Sequence, residues 1–379
     1  MSTAIVFGAT GVSGIACLRA LLQTPVSEYK SILAVSRRAP ALDANDNRVK
    51  HVNVDLMGPV EIIADGLRKA GGADAAHVFF YSYIAKEEEE DLVETNRKLF
   101  SHSLEALAQV ATKLQVLLLQ TGYKYYGVHK GGEYLATYPF QESAPRHQGL
   151  NFYYVQEDML KDAAKKGGYH WIVSRPNFIL GESKGNFMSL AVTLGQYASL
   201  LKYLDKSLIF PGSSATYNLP YDFSTANHNA AHQLFLVKNE KAYDRAFNIH
   251  DGKPMRFSDL WPKVADYFGL SLDSPPAGDA PDPSKIGKEV VLLHSSAEFA
   301  QQNESAIDEY SKKHDLDPSA SKYATWEFLD FATSRTWSDQ GSLDAARSVG
   351  WTKDSDIWGQ GFKPVFDAMR EDKIIPRSA

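Results

Sequence analysis

Tyrosine and lysine are the residues of this chain whose types and spacing could do chemistry on a carbonyl oxygen. A tyrosine hydroxyl can donate to that oxygen, and a lysine four residues later on the same helix face lowers the tyrosine pKa from about 10. Tyr126 and Lys130 alone have this spacing. Gly131 and Gly132 follow directly, and successive glycines disfavour a helix there. We therefore predict that Tyr126 and Lys130 are not the catalytic pair.

A second group of tyrosines lies where the apolar spacing does predict a helix. That helix starts near Asn151 and carries Tyr153 and Tyr154 in its first turn. Glu157 and Asp158 lie four residues after these tyrosines. Neither tyrosine therefore has a lysine four residues later on the same helix. If a catalytic tyrosine lies on this helix, its lysine must come from elsewhere in the fold.

The elements that would position these groups begin with a glycine turn. Residues 5–7 form a short apolar run typical of a buried parallel strand, Gly8, Gly11 and Gly14 follow, and a helical pattern comes next. The free N–H groups and the dipole of such a helix bind phosphate. The spacing resembles that of the extended short-chain dehydrogenase/reductase superfamily, and an ordinary glycine-rich turn is the alternative. The predicted cofactor residues of this segment are Gly8, Thr10, Gly11, Val12, Ser13 and Gly14.

The end of the second predicted strand indicates which dinucleotide is bound. An acidic residue there would bind the ribose hydroxyl of NAD, whereas arginine accommodates the extra phosphate of NADP. The chain has Ser36, Arg37 and Arg38 at this place and no carboxylate. We predict NADPH as the cofactor, with a pair of solvated surface arginines as the alternative.

The next two predicted strands also end near the cofactor. The third, residues 51–56, ends in Asp55 and Leu56, and in this superfamily an aspartate followed by an apolar residue contacts adenine at that place. An aspartate that caps the following helix is the alternative. The fourth strand, residues 76–83, delivers Tyr81, Ser82 and Tyr83 towards the cofactor.

Six predicted strands alternate with helices, which indicates an α/β protein with a Rossmann-type, doubly wound parallel sheet. We expect residues 1–180 to form an NADP-binding domain, with returning segments from the C-terminal half. Residues 181–379 are expected to form a smaller C-terminal substrate-binding lobe. The aromatic residues of that lobe suggest a hydrophobic substrate, although most of them are expected to be core.

Composition excludes several other classes of protein. Of the 379 residues, 44% are hydrophobic and 23% charged, as in ordinary globular proteins. The net charge of −6 gives no reason to expect nucleic acid or an anionic membrane as partner. The single cysteine excludes an intramolecular disulfide framework, and no apolar run reaches the ~18 residues of a membrane span. We expect a cytoplasmic protein; a homodimer is left open.

Two motifs make a more specific resemblance. Residues 121–127, Thr-Gly-Tyr-Lys-Tyr-Tyr-Gly, and residues 151–158, Asn-Phe-Tyr-Tyr-Val-Gln-Glu-Asp, closely resemble the progesterone 5β-reductase/iridoid synthase (PRISE) family, an atypical branch of the superfamily. In that family the lysine comes from the loop after the fifth strand. The resemblance covers most of the chain and implies Tyr153 and Lys124 as catalytic residues.

The same resemblance implies further site residues. It implies cofactor contacts from Gln120, Tyr153, Ile179, Asn186, Phe187 and Met188, and a substrate contact from Tyr83. Independently of the resemblance, we expect Pro176 to contact the cofactor and Phe328 the substrate. At Tyr83 the plant enzymes carry tryptophan, so the identity of their substrate does not transfer to this chain.

The predicted activity is NADPH-dependent reduction of a small hydrophobic enone. Hydride added to the β-carbon leaves an enolate, and a tyrosine hydroxyl with a nearby ammonium stabilises its oxygen. The same pair would serve ketone reduction, and a non-catalytic NADP-sensing regulator is a further alternative. A sugar-nucleotide epimerase is disfavoured by the missing helix pair. His228 and His232 have a zinc-like spacing, but no motif glutamate accompanies them, and no metal is expected.

Overall fold

Seven strands of this computed structural model form one parallel sheet, in the spatial order 49–53, 29–36, 2–7, 75–80, 116–120, 170–176 and 245–249. The structure describes residues 2–42, 46–182, 188–276 and 290–377. The sheet strands are β1 Ser2–Phe7, β2 Tyr29–Ser36, β3 Val49–Asn53, β4 Ala75–Phe80, β5 Val116–Gln120, β6 His170–Pro176 and β10 Arg245–Ile249. Two-residue strands form two small separate sheets, namely β7 Ile179–Leu180, β8 Pro220–Tyr221, β9 Ser224–Thr225 and β11 Met255–Arg256.

Helices follow most of the sheet strands, as a doubly wound sheet requires. Their bounds are α1 Val12–Leu22, α2 Val60–Ala70, α3 Glu89–Val110, α4 Phe152–Gly167, α5 Leu190–Tyr203, α6 Ser214–Asn218, α7 Ala226–Val237, α8 Phe257–Phe268, α9 Ser296–Gln302, α10 Glu304–Lys313, α11 Trp326–Ser334, α12 Asp344–Ser348 and α13 Lys363–Glu371.

Alternation along the strands builds a separate core on each face of the sheet. Ile5 and Phe7 pack in the core that includes residues of α2 and α3. Ala4 and Val6 pack on the other face, in the core that includes residues of α1 and α7. Because both faces are covered, the strands read as continuous apolar runs. The predicted Rossmann-type sheet is confirmed.

Two strands are displaced from their predicted bounds. The predicted fourth strand runs to residue 83, but β4 ends at Phe80, which pairs with Phe7, the last residue of β1. The predicted third strand runs to residue 56, but β3 ends at Asn53, opposite Ser36 at the end of β2. Each strand ends where its neighbour ends, so the residues that follow are free to turn towards a ligand.

The second half of the chain contributes to the sheet as well as building its own core. Strand β10 pairs in parallel with β6 and becomes the edge strand. A third apolar core joins α5, α8, α11 and α13. Within the described ranges, no helix combines the length and the apolar character that a bilayer crossing requires.

Candidate active site

A cavity of about 280 Å³ lies at the carboxyl ends of β1, β4, β5 and β6. This edge of an open parallel sheet is where such folds bind their ligands. The structure brings the majority of the predicted site residues together there. Those that line the cavity are Gly11, Val12, Ser13, Gly14, Tyr81, Ser82, Tyr83, Gln120, Lys124, Tyr153, Pro176, Ile179, Met188 and Phe328. Asn186 and Phe187 lie outside the described residues.

The glycine turn has the geometry of a phosphate cradle. Gly8 has φ +75°, and a Cβ there would lie 2.9 Å from the Ser82 nitrogen. A Cβ on Gly14 would lie 2.2 Å from the Gly8 carbonyl oxygen, so the turn can pack against α1 only with glycine. Gly11 is the N-cap of α1, which has no side-chain cap and no acidic residue in its first turn. The N–H groups at this helix start are thus not capped by a side chain, and the residues fit a dinucleotide phosphate.

A chain of hydrogen bonds between amide and hydroxyl side chains holds Ser13 of the glycine turn in place. Gln120 Nε2 donates to Ser13 Oγ at 2.9 Å, and Gln233 Nε2 donates to Gln120 Oε1 at 2.9 Å. The Tyr81 hydroxyl donates to Gln233 Oε1 at 2.7 Å. Gln233 lies on α7 and is 1% exposed. Sequence reasoning missed it, because one glutamine in an apolar helix carries no motif.

The residues expected near the adenosine lie at the ends of β2 and β3. The Ser36 hydroxyl donates to the Arg38 carbonyl oxygen at 2.6 Å, while the Arg37 and Arg38 side chains are exposed. Asp55 Oδ1 accepts from the Met57 N–H at 2.9 Å. The alternative interpretation of Asp55, a cap on the following helix, is wrong, because Pro59 occupies the N-cap position of α2. Leu56 is buried in the core.

Tyr153 reaches the cavity from the first turn of α4. Gly122 leaves room for it, since a Cβ on Gly122 would lie 3.3 Å from the Tyr153 hydroxyl oxygen. Burial raises the pKa of Tyr153 above its ordinary value of 10.0, and Tyr83 raises it further. In the usual tyrosine–lysine spacing the lysine lowers this pKa, so the present site differs. The Tyr153 hydroxyl keeps its proton at neutral pH and can donate it in a hydrogen bond.

Lys124 comes from the short 3-10 turn Tyr123–Tyr126 that follows β5. Burial lowers the pKa of its ammonium group, and the charge of Glu89 partly offsets that effect. The turn itself is held by buried tyrosines. The Tyr123 hydroxyl donates to Asp222 Oδ2 at 3.1 Å, and the Tyr126 hydroxyl donates to Asn248 Oδ1 at 2.6 Å. The backbone of Lys124 therefore has a fixed position beside the cavity.

Glu157 and Asp158 of α4, which lie four residues after Tyr153 and Tyr154, form ion pairs with arginines. Glu157, four residues after Tyr153, is 2% exposed and accepts from Arg175 Nη2 at 3.0 Å. The Arg175 guanidinium stacks on the Tyr125 ring with its central carbon 3.4 Å from the ring centre. Asp158 accepts from Arg146 at 2.6 Å and 2.8 Å. These two ion pairs connect α4 to β6 through Arg175 and to the preceding loop through Arg146.

Tyr126 and Lys130, which are four residues apart, do not lie on one helix. Gly131 and Gly132 have φ +68° and +54°, and Tyr126 and Lys130 share no helix. Tyr126 is 1% exposed, accepts from Arg175 Nη1 at 3.1 Å and does not line the cavity. Lys130 forms an ion pair with Glu89 at 3.2 Å. These contacts are structural.

We expect Tyr126→Phe and Lys130→Ala each to leave kcat within a few-fold of wild type. Tyr126→Phe should lower the free energy of unfolding by roughly 2–4 kcal/mol, because it removes two buried hydrogen bonds, one to Asn248 and one from the charged Arg175. Steady-state kinetics and denaturant unfolding measure the two effects. A hundredfold loss of turnover in either folded variant would return the catalytic role to Tyr126 and Lys130.

A second chamber of about 560 Å³ adjoins the cavity and shares part of its wall, namely Tyr83, Lys124, His129, Phe152 and Met188. Glu89, from the acidic run at the start of α3, lines this chamber together with Lys130. The chamber leaves open space beside Lys124.

Further residues line the cavity that sequence reasoning did not single out for the site. Phe178 has φ +30°, a left-handed backbone conformation that bulky residues adopt only under strain of about 1–3 kcal/mol. Phe331 and Arg335 line the same cavity, and the Arg335 guanidinium packs on Phe178. The aromatic pattern in this lobe could have suggested Phe331, but no sequence signal marks a strained Phe178.

The histidines with zinc-like spacing pack against a tryptophan. His232 is fully buried, and its ring is stacked on Trp351 with 4.4 Å between ring centres. His228 meets the same ring edge-on. In the part of the chain that the structure describes, no group of three or more His, Cys, Asp or Glu residues is arranged to hold a metal ion.

Comparison with known proteins gives one family. A family model described as a PRISE-like Rossmann-fold domain matches residues 4–376. The short chain dehydrogenase gsfE of Penicillium aethiopicum is 29% identical over 381 residues, which cover 99% of each chain. An (S)-8-oxocitronellyl enol synthase of Catharanthus roseus is 29% identical over 386 residues, covering 99% of this chain and 92% of that one.

Solved structures share the fold at lower sequence identity. The enzyme WbmG of Bordetella bronchiseptica, solved in complex with NAD, aligns with a TM-score of 0.61 at 12% identity and covers 99% of this chain and 96% of its own. RMD of Pseudomonas aeruginosa, solved with NADPH, aligns with a TM-score of 0.62 at 13% identity and covers 97% and 99%. At these identities the likeness concerns the fold.

Proposed function

The chain belongs to the family of PRISE-like Rossmann-fold domains, and from this premise we propose that it is an NADPH-dependent reductase of small α,β-unsaturated carbonyl compounds. One observation carries the proposal. The phosphate cradle, Tyr153 and Lys124 line one cavity, although they come from β1–α1, α4 and the turn after β5. A dinucleotide that binds the cradle therefore brings its nicotinamide towards the tyrosine and the lysine.

Bound NADPH would supply the hydride, and the protein would stabilise the charge that the hydride creates. As the substrate β-carbon accepts the hydride, the C=C electron pair would shift to the bond between the α-carbon and the carbonyl carbon, and the C=O pair would move to the oxygen, which leaves an enolate. The protonated Tyr153 hydroxyl donates to that oxygen as its negative charge develops. Lys124, beside the same cavity, adds positive charge. A proton from solvent, added to the α-carbon of the enolate, completes the saturated carbonyl product.

The chambers suggest how the substrate lies. From the residues that both chambers share, we infer that the reacting carbonyl lies near Lys124 and that the remainder of the molecule extends towards Tyr83 and Phe152. Their rings lie 5.5 Å apart and form an apolar wall. We further propose that residues 1–180, together with β10, bind the cofactor and that residues 181–379 form the substrate-binding lobe.

NADPH should be used with a higher kcat/KM than NADH. Arg37 and Arg38 are exposed and directly follow β2, the strand end at which arginine accommodates the 2′-phosphate of NADP, and a charge-assisted hydrogen bond would strengthen that contact. The double substitution Arg37→Ala and Arg38→Ala should weaken NADPH use much more than NADH use. Arg68→Ala, at an exposed position of α2, is a control for the loss of a surface arginine. Equal or better use of NADH by the wild type would contradict this specificity.

The activity is tested by NADPH oxidation against paired enones and saturated ketones, with identification of each product. The proposal predicts saturated ketones or aldehydes from the enones and little turnover of the saturated partners. Alcohols as the main products would assign the site to ketone reduction instead. Absence of turnover with every compound, despite NADPH binding, would favour a cofactor-sensing protein.

A further inference from the structure

We propose that Asn151 is a positioning residue that holds Tyr153 and Lys124 in register, an inference that rests on the function proposed above. Asn151 lines the second chamber, but both ends of its amide group are engaged in hydrogen bonds within the protein. Its amide side chain instead joins the backbones of the two residues that act on the substrate oxygen. The joint spans two elements, α4 and the turn after β5, which are otherwise distant along the chain.

The acceptor end of the amide is an ordinary helix cap. Asn151 is the N-cap of α4, with φ −159° and ψ 115°, and its Oδ1 accepts from the Tyr153 N–H at 3.0 Å. Serine, aspartate and asparagine serve about equally well in this role. The cap alone therefore does not require asparagine.

The amide nitrogen of Asn151 supplies a hydrogen-bond donor that an aspartate lacks and that a shorter serine cannot place at the same position. Asn151 Nδ2 donates to the Lys124 carbonyl oxygen at 2.9 Å and lies 3.1 Å from the His147 ring nitrogen Nε2. Asn151 is 6% exposed, so water has little access to these bonds. A serine at this position would keep the cap and lose the bond to Lys124.

A second hydrogen bond joins α4 to the turn after β5. The Tyr154 hydroxyl donates to the Tyr125 carbonyl oxygen at 2.7 Å. That bond joins the residues that follow Tyr153 and Lys124 in the chain, whereas Asn151 joins Tyr153 and Lys124 themselves. A misplacement of about 1 Å in a catalytic group can lower turnover roughly 10²-fold, so this tie should act on kcat.

The chain contains a matched control far along the sequence. Asn239 is also an N-cap, its Oδ1 accepts from the Lys241 N–H at 3.2 Å, and its Nδ2 donates to the Val349 carbonyl oxygen at 2.8 Å. Neither chamber of the site includes it. Asn239→Ser removes the same kind of bond without touching the site.

The test compares Asn151→Ser with Asn239→Ser in the full-length enzyme. We expect Asn151→Ser to lower kcat roughly tenfold or more, with the KM for NADPH nearly unchanged and a Tm no lower than that of Asn239→Ser. Asn151→Ala, which also loses the cap, should lower the Tm further. Equal kcat in Asn151→Ser and Asn239→Ser would contradict the inference.

A double-mutant cycle with Lys124→Ala separates this inference from the proposed function. If Asn151 acts through Lys124, adding Asn151→Ser to Lys124→Ala should reduce kcat much less than it does in the wild type. Additive losses would mean that Asn151 acts elsewhere. Wild-type turnover in Lys124→Ala would instead overturn the proposed function, whatever Asn151→Ser does.

Discussion

Tyr153→Phe is expected to lower kcat by roughly 10²–10³-fold, the scale on which removal of one oxyanion donor acts. The substitution removes only the hydroxyl that lies beside Gly122 in the cavity. Burial keeps that hydroxyl protonated, so its loss removes a donor and not a base. NADPH affinity should stay nearly unchanged, because the phosphate cradle lies on a different element.

Substrates should respond to this substitution in a graded way. Strongly activated enones need less stabilisation at the oxygen, so they should retain the largest share of their turnover in Tyr153→Phe. Tyr126→Phe is the matched control, since it removes the same group from a buried tyrosine that does not line the cavity. Wild-type rates with every enone would show that the Tyr153 hydroxyl is not the donor.

Lys124→Ala is expected to lower both kcat and the affinity for NADPH. Its side chain lines the cavity that also contains the phosphate cradle, and it borders the second chamber. Because Lys124 and Tyr153 would stabilise one oxygen, the double variant should lose much less than the product of the two single losses. Steady-state kinetics and NADPH titration of the three variants measure this.

Lys130→Ala controls for the loss of a nearby positive charge. Lys130 lines the second chamber but pairs with Glu89. A multiplicative loss in the double variant would mean that Lys124 and Tyr153 act on different steps. An unchanged NADPH affinity in Lys124→Ala would remove the lysine from the cofactor site.

The sheet could be predicted from sequence because its strands are buried on both faces. Residues 5–7, 116–119 and 172–173 are apolar runs that pack on both sides of the sheet. The strand ends were less predictable, because β4 stops at Phe80 only where its partner β1 stops. That limit depends on pairing between strands and leaves no mark in the local sequence.

The candidate site likewise contains one part that could be predicted from local sequence and another that depends on tertiary structure. The glycine turn is local, so its spacing alone indicated a phosphate cradle. Lys124 and Tyr153 meet through tertiary structure, and only the resemblance to a family placed them together. Gln233, Phe178 and Arg335 went unassigned because contacts between distant segments place them at the site: Gln233 bonds to Gln120, and Arg335 packs on Phe178.

Transfer of deuterium from NADPH labelled at the nicotinamide C4 tests the central claim most directly. The wild-type enzyme is given the labelled cofactor and the enone that it consumes fastest, and the product is examined by NMR and mass spectrometry. Reduction by hydride addition to the enone predicts one deuterium on the β-carbon of a saturated carbonyl product, and Tyr153→Phe should form the same product more slowly. Deuterium on the carbonyl carbon of an alcohol, with the C=C bond intact, would contradict enone reduction.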